Sequence, residues 1–144
     1  MNYCKKCTST VAGIFAILFL LLFLPLTALK AQSKPWPVPA QSVALKNIFA
    51  DNPASVKEGK TLYTSYCTPC HGDKGKGDGP AAAALNPKPA DHTSASMLSE
   101  TDGSLFYKIS EGRTPMPQYK TTFTEKQRWE LVTYIRTLNK SGKK

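Results

Sequence analysis

The run Cys67-Thr68-Pro69-Cys70-His71 constrains this chain more than any other feature of it. Two thiols stand three residues apart, and an imidazole follows the second at once. That spacing suits covalent capture of a haem: each thiol adds to one vinyl group, and the adjacent histidine reaches the iron. A fold built on this run must wrap a large apolar group. The protein's task is then binding, orientation and electrostatics around that group.

Other chemistries suit the run less well. A thioredoxin-like pair needs a βαβ setting, whereas here the motif closes a helix in an all-α pattern. A structural zinc site needs a second pair of ligands. Beyond residue 50 the chain has no further cysteine, and His92 is its one other histidine. Cys4 and Cys7 repeat the CxxC spacing, but no histidine follows Cys7, and the pair reads as inert.

The chain has 144 residues, enough for one domain. The segment able to fold, residues 52–140, is short, and a domain of that size buries a small share of its surface. A bound haem relieves that shortage. Among 11 prolines and 9 glycines, many fall between Gly72 and Pro117, which predicts loops that need something to pack against.

The N-terminus carries its own instruction. Lys5 and Lys6 precede an apolar run, Val11 to Leu24, broken at Pro25 and followed by small and polar residues up to Ala31. A positive start, an apolar core and a small-residue exit describe an export signal cut near Ala31. The rival is an uncleaved membrane anchor, since the uncharged stretch Thr8 to Leu29 has the length to span a bilayer. A cleaved signal is favoured, and either reading puts the remainder outside the cytoplasm. The expected organisation is therefore a signal or anchor over 1–31, a Pro-rich linker over 32–51, a folded domain over 52–140 and a basic tail over 141–144. Lys34-Pro35-Trp36-Pro37-Val38-Pro39 disfavours helix and predicts an extended arm.

Three helices are predicted in the folded part. Asn52-Pro53 is a capping residue followed by proline at the first helical position, opening a helix to about Tyr66. Val56, Gly59, Tyr63 and Tyr66 share one of its faces. Gly59 disfavours helix and so predicts a closely crossing second helix. Thr124 and Gln127 form a capping box for a last helix, whose Leu131, Tyr134, Ile135 and Leu138 follow an i, i+3, i+4, i+7 pattern up to about Lys140. A shorter helix fits Asp102 to Glu111, stopped by Gly112, with Leu105, Phe106 and Ile109 on its buried face. No alternating strand is evident, so the fold class is all-α.

The formal charge is +9, of which residues after 31 contribute +6. That balance favours partners with acidic docking surfaces. Nucleic acid is a poor reading, since the lysines are scattered and no recognition motif occurs. Lys74, Lys76, Lys88, Arg113 and Lys120 lie in segments expected to border the haem and to form a docking ring.

His71 is the expected proximal iron ligand. For the other axial position Met116 leads, in Thr114-Pro115-Met116-Pro117. Thioether sulfur is a soft ligand that raises haem potential, and the flanking prolines stiffen its loop. Met97 competes from a setting that also suits core packing. His92 competes from what reads as an exposed turn, and an open position is the fourth alternative. Pro80 is the expected source of the carbonyl that accepts the His71 ring N–H, because metal-ligating histidines usually have such a partner.

From about Asn52 to Leu138 the chain resembles class I, bacterial monohaem c-type cytochromes. The resemblance rests on the Gly59/Tyr63 helix face, CTPCHG, the GKGDGP loop, Asn86-Pro-Lys-Pro-Ala-Asp91, Glu111-Gly-Arg-Thr-Pro-Met116-Pro, and Arg128-Trp-Glu-Leu-Val-Thr-Tyr134-Ile-Arg. It implies the small cytochrome c fold, with about three main helices and loops wrapped around one covalent haem c. First and last helices would cross at Gly59, with Tyr63 facing Leu131 and Tyr134. The implied cofactor-binding residues are Cys67, Cys70, His71, Pro80 and Met116, with His71 and Met116 on the iron. The implied function is one-electron carriage between respiratory or other periplasmic redox proteins. The alternatives are a haem enzyme or ligand sensor with an open sixth position, and an electron-transfer subunit of a larger respiratory complex. The expected location is the periplasm or the outer face of the cytoplasmic membrane.

Overall fold

A computed structural model describes residues 35–140, so the apolar run Val11 to Leu24, the export or anchor expectation and the basic tail lie outside the described residues. Among the described residues there are six α-helical segments and no strand. They are α1 (Ala40–Val43), α2 (Pro53–Tyr66), α3 (Thr68–His71), α4 (Ala95–Ser99), α5 (Asp102–Glu111) and α6 (Glu125–Lys140), with a 3-10 turn at Ala82–Ala84.

The long helices start where their caps are. The Asn52 side chain accepts from the N–H groups of Ala54 and Ser55 at 2.9 and 3.2 Å, satisfying donors that the first turn of a helix leaves open. At the head of α6 the capping box is reciprocal: Thr124 N–H donates to Gln127 Oε1 at 2.9 Å, and Gln127 N–H donates to Thr124 Oγ1 at 3.3 Å. Thr101 caps α5, and Gly112 ends it with φ +62°, a left-handed conformation that glycine adopts without a Cβ penalty.

The core forms where α2 crosses α6. A Cβ on Gly59 would collide with the backbone carbonyl of Glu130 and come within 2.9 Å of Tyr134 Cβ. Only a glycine lets the two backbones approach this closely. One turn later Tyr63, 1% exposed, packs its ring 5.2 Å from that of Tyr134. Leu131, Val132, Ile135 and Leu138 complete this face of α6, joined by Leu105 and Ile109 of α5. Phe106 of α5 stacks on Trp129 at 4.1 Å between ring centres.

Residues 35–39 form no helix, as their prolines predict, and the chain after them turns. It makes one helical turn, α1, whose Ser42 carbonyl sits where a Cβ of Gly103 would stand. Thr101 Oγ1 donates to Val43 O at 3.0 Å, and Asn47 Nδ2 donates to Thr133 Oγ1 at 2.9 Å. Residues 40–51 thus pack on α5 and α6 through polar contacts and through Phe49, which lies against the core. Trp36 lies under the guanidinium of Arg113, 4.6 Å from its ring centre.

Candidate haem site

The attachment run sits at a break between helices. Tyr66 ends α2, Cys67 links it to α3, and Cys70 and His71 occupy the last two positions of that single turn. Pro69 is tolerated because the first turn needs no donor there. Both thiols are free and partly buried. Burial, then the neighbouring Cys70, pushes the Cys67 thiol up to about 12.

The glycine loop is bonded to this turn at every other residue. Gly77 N–H donates to His71 O at 2.9 Å, Gly79 N–H to Cys70 O at 3.1 Å, and Ala81 N–H to Pro69 O at 2.9 Å. A Cβ on Gly79 would strike the carbonyls of Thr68 and Pro69 and come within 2.7 Å of the Cys70 carbonyl carbon. The glycines therefore hold the loop flat against the CTPCH turn.

This path corrects the reading of Pro80. Its neighbours bond back to Cys70 and Pro69, and Pro80 itself is exposed. The carbonyl at the His71 ring belongs to Ala90, 3.0 Å from Nδ1. The Asn86–Asp91 stretch reaches the ring because Gly77 leaves room for Pro89 O and because His92 N–H donates to Gly75 O at 2.6 Å.

His92 is likewise not an exposed turn residue. The turn forms, with Thr93 N–H donating to Asp91 Oδ1 at 2.7 Å, but the imidazole points inward and is 7% exposed. Its Nδ1 lies 3.2 Å from Tyr63 Oη, which lies 3.3 Å from Gly72 O. Every group is satisfied when His92 carries its proton on Nδ1 and Tyr63 donates to Gly72, an assignment made from the hydrogen-bond network. Burial, then the nearby His71, drives His92 down to about 3, so it is neutral across the physiological range. Its ring stacks on His71, with centres 4.2 Å apart and planes 19° apart. Rings stacked in this way lie side by side. His92 is therefore placed beside His71 and not across from it.

Met116 lies on a turn closed by two backbone bonds with Arg113, at 2.9 and 2.8 Å. It is partly buried and packs against the same apolar cluster as Cys67. Tyr119, three residues on, donates from Oη to Tyr66 O at 3.3 Å. Burial, followed by the Cys67 and Cys70 thiols, pushes Tyr119 up to about 12. Met97 sits on α4, and its carbonyl accepts from Arg136 Nη1 at 3.0 Å on the side of Asp102. Neither Tyr119 nor Ala90 is marked by a sequence signal; each acts through packing or through its backbone.

The expected cationic ring is partly consumed by the fold. Lys88 Nζ donates to the carbonyls of Ala82 and Ala83 at 3.0 and 2.9 Å, fixing the 3-10 turn. Lys76 donates to Thr93 Oγ1 at 2.5 Å, and Lys120 pairs with Glu111 at 2.7 Å. Arg113 donates to Pro35 O at 3.3 Å. Lys74 stands on the exposed loop.

The donor set suits a haem. Two reduced thiols flank a helical turn, and the His71 Nδ1–H donates to a carbonyl, which leaves Nε2 with its lone pair. Burial lowers the His71 pKa against the opposing effect of that hydrogen bond, which favours the neutral imidazole a metal requires. Helical fold and site together define a c-type cytochrome domain.

The comparisons agree. Residues 54–135, more than half of the chain, match the family described as cytochrome C oxidase, cbb3-type, subunit III, and the chain belongs to that family. No curated protein matches. Among solved structures, the Kuenenia stuttgartiensis reducing HAO-like protein complex Kustc0457/Kustc0458 is similar to 74% of this chain at 25% identity and a TM-score of 0.56. The match covers 51% of that neighbour, so this chain spans about half of its length. A second, the KustC0563 c-type cytochrome, is similar to 56% of this chain and is 95% covered, at 24% identity and a TM-score of 0.49. The cofactor is a covalently bound haem c, to which the Cys67/Cys70 pair is suited, and the domain's role is haem-based electron transfer.

Proposed function

We propose that this chain carries one electron at a time between redox proteins outside the cytoplasm, with His71 and Met116 as the axial ligands of its haem. The observation that carries the ligand assignment is the path of the Met116 loop beside the thiols. Tyr119 on that loop donates to the carbonyl of Tyr66, the residue before Cys67, at 3.3 Å, and Met116 shares an apolar cluster with Cys67.

When bound, haem supplies an iron that changes by one electron between Fe(II) and Fe(III). The residues around it keep that change small in structural terms. Ala90 O fixes the His71 ring through Nδ1. The Arg113–Met116 turn, followed by Pro117, restrains the sulfur. With His71 and Met116 both holding the iron, no position on it would be left for a substrate. Tyr63 and Tyr134 keep the crossing of α2 and α6 dry behind the site.

The apolar run Val11 to Leu24 supports a place outside the cytoplasm, with export signal and anchor as its two forms. Redox partners of this kind meet through small interfaces. Lys74, exposed on the glycine loop, is the cation best placed to steer an acidic partner. A subunit role in a larger redox assembly is the second reading, favoured by the subunit named in the family's description.

Met116→Ala tests the assignment. The ferric wild type is expected to show a sulfur-to-iron absorption band at the red end of the visible spectrum. The variant loses it, gains carbon monoxide binding and falls in potential, because thioether ligation raises haem potential. Retention of the band in Met116→Ala, with loss in Met97→Ala, would move the ligand to Met97.

A further inference from the structure

A histidine ring turns about its Cβ–Cγ bond, and one hydrogen bond at Nδ1 narrows that rotation without locking it. The bond from His71 Nδ1 to Ala90 O, at 3.0 Å, therefore restrains one edge of the imidazole. A flat neighbour against one face removes the remaining freedom. His92 is such a neighbour, 4.2 Å from the His71 ring centre and 19° from parallel.

His92 is itself held at several points. Tyr63 Oη meets its Nδ1 at 3.2 Å, its N–H donates to Gly75 O at 2.6 Å, and its carbonyl accepts from Asn139 Nδ2 at 2.5 Å. Tyr63 is 1% exposed and wedged against Tyr134 at the crossing of α2 and α6. A side chain at Gly75 would be strained: its φ is +71°, and a Cβ would stand 3.1 Å from His92 Cβ. An uninterrupted set of contacts thus runs from the helix crossing, through Tyr63 and His92, to the face of His71.

We propose that His92, braced by Tyr63, is a positioning residue that sets the plane of the His71 imidazole and through it the electronic asymmetry of the ferric haem. This rests on His71 being an iron ligand. An axial imidazole donates π density perpendicular to its own plane. The orientation of that plane therefore decides which pyrrole rings share the unpaired electron. Neither stacking nor the Tyr63 bond touches the iron, so the effect is on orientation rather than on ligation.

The test compares haem-methyl proton shifts of the full-length ferric holoprotein with those of three variants. His92→Leu removes the flat face and is expected to change the order and spread of the methyl shifts while the iron stays low-spin. His92→Phe keeps a flat face but, like Tyr63→Phe, loses the bond between positions 63 and 92, and is expected to move the shifts by less than His92→Leu. Tyr63→Phe preserves the core but unties His92, and is expected to move the shifts in the same sense as His92→Leu by a smaller amount. Wild-type order in His92→Leu, or equal displacement in His92→Phe and His92→Leu, overturns the proposal. If His92→Leu does not accumulate as holoprotein, Tyr63→Phe decides, and unmoved shifts there overturn it. Failure of the ligand assignment looks different: the wild type itself would lack a low-spin, imidazole-bound iron, and the proposal would fall with it.

Discussion

Replacing both Cys67 and Cys70 with serine leaves a chain from which all haem is removed by denaturation and acid–organic extraction. In the wild type the colour stays with the polypeptide. Serine keeps the size of the side chain, but its hydroxyl does not form the thioether. Each single variant keeps one bond and is expected to keep its colour through the same treatment. The consequence reaches the fold. The described core is a single cluster at the crossing of α2, α5 and α6, and domains of this length are marginal without help. The double variant is therefore expected to accumulate poorly and to unfold at a lower temperature. Heat-denatured samples run on a gel stained for haem peroxidase activity give the readout. A haem band of undiminished strength in the double variant would contradict attachment at these residues.

The second large effect is expected at Gly59. A methyl group there meets the main chain of α6 at Glu130 and the Cβ of Tyr134, neither of which can rotate away. The helices must separate, which spoils the packing of Tyr63 against Tyr134 and Leu131. Overpacking a well-filled core costs about 1–3 kcal/mol. Better helix propensity returns at most about 1 kcal/mol for alanine. Because the clash is with main chain, the upper end applies: Gly59→Ala is expected to lose about 2 kcal/mol, and Gly59→Val, which recovers less and adds two methyls, about 3 kcal/mol. Against a domain stability of about 5–15 kcal/mol this is a large share. Denaturant midpoints of the holoproteins measure it. A midpoint in Gly59→Ala at or above that of the wild type would show that the crossing is looser than described.

What was legible in the sequence is local chemistry. Asn52-Pro53, Gly112 and the Thr124/Gln127 box act within a few residues of themselves, and the helix ends they mark follow from them. Gly59 carried tertiary information because a glycine inside a helix needs a reason, and the reason is the Glu130 main chain. The CTPCH run carried the cofactor because its spacing is set by that chemistry. Other features were not readable. The carbonyl at His71 belongs to Ala90 and not to Pro80, a matter of which loop passes nearest, and backbone acceptors leave no mark on residue identity. His92 looked like part of a polar turn; the turn is real, yet its side chain faces Tyr63 and His71. The short turns α1 and α4 lack a full period of apolar residues and owe their form to contacts with Gly103 and Arg136. Several of the cations expected to await a partner are instead occupied at home, as Lys88 is by two carbonyls.

Central to this account is a haem closed on both sides by His71 and Met116 that exchanges one electron without changing ligands. A potentiometric titration of the full-length protein, followed by absorbance with and without carbon monoxide, tests this most directly. The account predicts a single reversible one-electron transition, the same ferric and ferrous spectra after repeated cycles, a sulfur–iron band in the ferric state, and no carbon monoxide complex. Immediate binding of carbon monoxide by the reduced wild type would contradict it, because an iron open to ligands belongs to an enzyme or a sensor.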